Sequence, residues 1–150
     1  MTLQDWTRNG WLVENKSSPE EIRALLGVVD RDLHDCKASG LSADWRLNIA
    51  YNAALQIAIA ALAAEGFRTT RESHHHRALH SLEMTMCVDT RTVAQLDAFR
   101  KKRNVSDYEQ AGMISESEAE EMIALAGCLR EHFLEWLRAT HPDLVPDGDL

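Results

Sequence analysis

The chain holds only three cysteines, Cys36, Cys87 and Cys128. They are odd in number, far apart and without Cys-x-x-Cys spacing, which excludes a disulfide framework and a zinc-binding cysteine cluster. They read as small core hydrophobes of a protein from a reducing compartment. Long hydrophobic runs are lacking as well. The longest, residues 57 to 64, is too short to span a bilayer, and the opening Met1 to Trp6 has no basic region followed by an apolar one. A soluble cytoplasmic protein without membrane contact is expected. Neither a glycine-rich phosphate loop nor a Gly-x-Ser-x-Gly elbow occurs, so nucleoside-triphosphatase and serine-hydrolase readings lose their usual support. No stretch shows the convincing period of two that marks a half-buried strand, and no internal repeat is apparent.

A positive surplus is missing too: 16 Lys and Arg face 24 Asp and Glu, for a formal charge of -8. The chain as a whole exerts no pull on nucleic acid, so any RNA contact has to be local. The local cations are Arg68, Arg71, Arg77, Arg100, Lys101, Lys102 and Arg103, while acid crowds the stretch from Glu109 to Glu121. That asymmetry fits a basic cleft on an acidic body and equally fits ordinary solvated helix faces.

What is present is helix. With 150 residues the chain fits one domain. Ser18-Pro19-Glu20-Glu21 joins an N-cap serine, a proline at the first helical position and a capping-box glutamate. Ile22, Leu25, Leu26, Val29, Leu33 and Cys36 then mark one face of a helix ending near Gly40. Ser42 caps a second helix that runs to Gly66 and is apolar nearly all round, as a central element would be. Its exception is the stripe Asp44, Asn48, Asn52, Gln56, which reads as a solvent edge or as a dimer or ligand surface. A third helix is predicted from Ser73 to about Met86 and a fourth from Asp89 or Thr90 to about Asn104, followed by a polar connection over 105 to 114. Ser115-Glu-Ser-Glu118 opens the last helix, which ends at His141-Pro142. Residues 1 to 17 form an arm whose Trp6 and Trp11 argue for docking, 18 to 140 form the helical domain, and 141 to 150 form a loose acidic tail. Short turns between long amphipathic helices predict an all-α antiparallel bundle of four to five helices.

Arg103 is the most informative residue. Val93, Leu96 and Phe99 recur at helical spacing, and Arg103 continues their stripe. A guanidinium at a buried-facing position must pair with an acid or face a polar cleft, because it cannot lose its proton. Asn104 and Asp107 share its side of the helix, within one turn. The motif Arg103-Asn104-x-x-Asp107-Tyr108 resembles the Arg-(Asn)-x-x-Asp-Tyr variant of bacterial HEPN-domain proteins. The alanine-rich stretch from Ala50-Tyr51-Asn52-Ala53-Ala54 to Gly66 is similar to the second HEPN helix, and Ile114 to Glu121 is similar to the segment that opens the last one. Together these pieces cover roughly residues 20 to 138.

The resemblance implies a HEPN-like up-and-down bundle, a homodimer, and a cleft that binds RNA or a nucleotide phosphate through Arg103, Asn104, Asp107 and Tyr108. It implies a toxin-antitoxin or defence setting beside a minimal nucleotidyltransferase, with Tyr108 as a candidate acceptor of AMP. In ribonuclease members the arginine is followed, after four to six residues, by a histidine. Here those positions hold Tyr108, Glu109 and Gln110. RNA cleavage benefits from an acid and a base with pKa values near neutrality, so at most a weak or degenerate endoribonuclease is expected. His74, His75 and His76, with Arg100, are expected to line the same cleft. His76, His80 and Glu83 share a helix face at a spacing able to gather metal ligands, yet helix capping, a solvated face or cleft lining is the favoured reading, and neither metal nor cofactor is expected. The rival reading is a non-catalytic protein-interaction module in which Arg103 forms only a structural ion pair.

Overall fold

The alanine-rich segment becomes the axis of the molecule because its small side chains let neighbouring helices approach on every side. The computed structural model describes residues 1–71, 74–108 and 112–146, the side chains of 104–108 excepted. In chain order the elements are α1 (Leu3–Arg8), β1 (Leu12–Glu14), α2 (Pro19–Asp35), α3 (Ala43–Ala64), β2 (Phe67–Thr69), α4 (His74–Thr85), α5 (Thr90–Tyr108), α6 (Glu116–Thr140) and a 3-10 turn (Pro142–Leu144). The fold is mostly helical and bundle-like. Helix α3 packs against α2, α4, α5 and α6, with Ala50, Ala53, Ala54, Ala58, Ala60 and Ala61 fully buried. Length and composition alone would let α3 cross a membrane, but 72% of its most apolar stretch is buried inside the fold.

Serine caps set the starts of three helices. Ser18, Ser42 and Ser115 each accept the backbone N–H three residues on, and Glu118 reaches back to the Ser115 N–H to complete a capping box. At the far end of α3, Gly66 takes φ +92° and turns the chain into β2. Leu129 and Phe133 of α6 are buried against this core, with Trp136 partly buried beside them.

Four expectations are corrected. A small sheet exists: β1 and β2 pair antiparallel, Leu12 opposite Thr69 and Glu14 opposite Phe67. Strands of three residues carry too little sequence to display a period. Helix α2 ends at Asp35, short of Gly40. Helix α5 runs on to Tyr108, so Asp107 and Tyr108 stand on its last turn and not in the polar connection expected over 105 to 114. Residues 142 to 144 form the 3-10 turn, and Leu144 and Val145 pack on the core, so this part of the acidic tail is anchored. Residues 147 to 150 lie outside the described residues. At the other terminus, Trp6 meets Trp11 edge to face at 5.5 Å, and Trp6 and Leu12 close a small second core over Leu62. The Arg77 guanidinium lies 4.3 Å from the centre of the Trp11 ring.

Candidate functional site

The polar stripe of α3 is not a plain solvent edge. It is a seam of hydrogen bonds to three other parts of the chain. Asp44 accepts the backbone N–H of Gly112 at 2.6 Å and of Ile114 at 3.3 Å. Asn48 Oδ1 accepts from Nε of Arg103 at 2.6 Å. Asn52 donates to Asp32 of α2 at 2.7 Å, and Gln56 reaches Asn52 at 3.5 Å. The four-residue spacing aligns these side chains on one face of α3, which is how a single helix serves α2, α5 and the start of α6.

Arg103 is partly buried at the end of the stripe formed by Val93, Leu96 and Phe99, all of which are buried. Its guanidinium carbon lies 5.3 Å from the centre of the Tyr51 ring. Together with Asp32, Trp45, Asn48, Ile49 and Asn52 it lines an open cavity of about 510 Å³. Trp45 is 61% exposed there, an unusual state for an indole in the first turn of a core helix. The cavity thus joins a fixed cation, the Asp32 carboxylate held by Asn52, two side-chain amides and an accessible aromatic face. Asn104, Asp107 and Tyr108 stand on the last turns of α5, and their side chains lie outside the described residues.

The three consecutive histidines diverge, as successive positions on a helix must. His74 is exposed, with Nδ1 3.4 Å from the Arg71 carbonyl oxygen. His75 turns inward, its ring 6.2 Å from that of Tyr51. Burial pulls the His75 imidazole down to about 4, helped by the charges of His74, Arg103 and Arg100, so it is neutral at physiological pH. Tyr51 therefore touches both His75 and Arg103, and joins α4 to α5 through its ring. Its phenol is pushed up to about 12 by burial, against the opposing pull of Arg103 and Arg100.

His76 and Arg100 belong to a different cluster, centred on Asp97. Arg100 Nε donates to Asp97 Oδ1 at 2.7 Å, and His76 Nδ1 lies 3.3 Å from the same oxygen. Burial pushes the Asp97 carboxyl up, but hydrogen bonds from Arg100 and His76 outweigh it and hold the group at about 2. His80 completes the cluster, its ring 4.3 Å from that of His76. Burial lowers the His80 pKa, with His76 adding to the effect. Of the residues expected to share one cleft, Arg103 and His75 meet through Tyr51, whereas His76 and Arg100 gather on Asp97.

Sequence reasoning missed Trp45, Tyr51 and Asp97 as members of these clusters. Asp97 had a signal: it is an acid three and four residues before Arg100 and Lys101, the spacing of helical ion pairs. Trp45 had none, since its exposure depends on how α3 packs. No family model, curated protein or solved structure matches the chain.

Proposed function

We propose that the cavity beside Arg103 binds a phosphate-bearing ligand, RNA or a nucleotide, in a non-catalytic or weakly catalytic way. The observation that carries this reading is the placement of Arg103, a partly buried guanidinium oriented by Asn48 on the wall of an open cavity that also presents Trp45. Such a cation is a natural phosphate partner, because guanidinium donors match phosphate oxygens and lose little entropy when already oriented. Aromatic faces accept bases of any sequence. Support for the wider HEPN-like reading comes from the Arg103-Asn104-x-x-Asp107-Tyr108 motif on α5 and the alanine-rich α3. On that reading the chain is an antiparallel up-and-down bundle and a homodimer, and works in the cytoplasm in a toxin-antitoxin or defence setting. A minimal nucleotidyltransferase is then its partner, and Tyr108 is the candidate acceptor of AMP. Asp107 and Tyr108 alone make a poor acid-base pair, so cleavage of RNA by the purified protein is expected to be weak or absent.

A second reading is favoured by Trp45 and Met113, which are 61% and 54% exposed. A protein-interaction module would bury such side chains against a partner, with Arg103 serving only to tie α5 to α3. The two readings separate in one experiment. Fluorescence anisotropy of a labelled single-stranded RNA is followed with the wild type and with Arg103→Ala, at low and moderate salt. Binding that weakens with salt and drops at least about tenfold in the variant, equivalent to about 1.4 kcal/mol, is the expected result. Binding indifferent to Arg103→Ala would remove the site and leave the interaction module.

A further inference from the structure

His76 and His80 stand one turn apart on α4, and the fold brings a third potential ligand to them from α5. His76 Nδ1 is 3.3 Å from Asp97 Oδ1, and His80 Nε2 is 4.0 Å from Asp97 Oδ2. Donor atoms of all three residues lie within 4.8 Å of one another. Tetrahedral coordination with bonds of about 2.0–2.1 Å puts ligand atoms about 3.3 Å apart, so small side-chain rotations close this triangle.

A separate observation marks the same place. Nε2 of His80 is buried and has no hydrogen-bond partner among the described residues, although buried polar atoms ordinarily have one. The other nitrogen of that ring, Nδ1, stands 3.9 Å from Glu83 Oε2, and Glu83 is held in turn by the Thr90 hydroxyl at 2.7 Å. A carboxylate hydrogen-bonded behind an imidazole orients metal-binding histidines, and a small rotation of the Glu83 side chain would close the present gap to that bond. Asp97 is steadied in the same manner by Arg100 on Oδ1. Lys101, 3.6 Å from Oδ2, has a 70% exposed side chain and can swing into solvent when a cation takes its place.

We propose that His76, His80 and Asp97 bind one first-row divalent cation through two imidazole nitrogens and a carboxylate oxygen, a donor set that suits Zn²⁺ and leaves a fourth position for water or a ligand. The site stands apart from the cavity beside Arg103 and does not depend on what that cavity binds. A metal there would fasten α4, which carries His75, to α5, which carries Arg103.

The test is a titration of the full chain with Zn²⁺ alone, in competition with a chromophoric chelator. It is run in a Cys87→Ser, Cys128→Ser background, because those thiols line another cavity with His132 and thiols are good zinc ligands in general. One Zn²⁺ per chain is expected, together with a rise in melting temperature on adding the metal. His76→Ala and His80→Ala should each weaken binding at least about tenfold while leaving the helical circular dichroism unchanged. Co²⁺ in place of Zn²⁺ should give visible ligand-field bands that both variants lose. Absence of binding at micromolar Zn²⁺, or undiminished binding in both variants with their folds intact, would overturn the proposal.

Discussion

Tyr51 holds a buried hydroxyl, with the residue 1% exposed and no hydrogen-bond partner among the described residues. Its phenol keeps its proton to about pH 12 in the fold, whereas an unfolded chain loses it near 10. A raised folded pKa means that the stability linked to this group is fully present below pH 10 and is lost as pH rises from about 10 to 12. Urea melts across that range should show a decline that Tyr51→Phe reduces. With no partner to lose, the same variant should be as stable as the wild type at pH 7 or more stable by up to about 1 kcal/mol. A neutral-pH loss above about 2 kcal/mol would contradict the assignment. The cation beside Tyr51 was legible in the sequence, because three apolar residues at helical spacing foretell which way Arg103 faces. Its neighbours were not. Asn48 is 55 residues away, and only the packing of α5 on α3 brings the two together.

Helix starts were the most legible elements, since a cap is written in four consecutive residues. Ser115→Ala should destabilise the protein by about 1 kcal/mol in chemical unfolding, by removing an acceptor for the Glu118 N–H. A much smaller effect would mean that the α6 start is held by other contacts, of which Asp44 on Gly112 and Ile114 is the candidate. The two strands were not legible, because Leu12–Glu14 and Phe67–Thr69 are defined by each other across more than fifty residues. Neither was the full length of α5. Beyond Phe99, Arg-Lys-Lys-Arg-Asn-Val-Ser-Asp has no apolar rhythm to follow, so the last turn is invisible to periodicity. In α3 the opposite holds, because alanine is required by close packing. Ala58→Leu, at a position with no exposure, should cost about 1–3 kcal/mol through overpacking. A neutral result in thermal melts would show a looser core than the burial of α3 implies.

At the scale of the molecule, an acidic chain presents a small set of oriented cations, with Arg103 tied to α3 by Asn48 and Arg100 drawn off to Asp97. Local and not global charge should therefore govern any anion contact, and its salt dependence should reflect few phosphates. The most direct test is a heteronuclear NMR titration of the isotope-labelled chain with a short single-stranded oligoribonucleotide. Shifts should concentrate on the Trp45 indole, the Asn48 and Asn52 side-chain amides and the Arg103 Nε–H, and should vanish in Arg103→Ala. Shifts that avoid these groups, or that persist unchanged in the variant, would contradict a phosphate-binding role for the cavity.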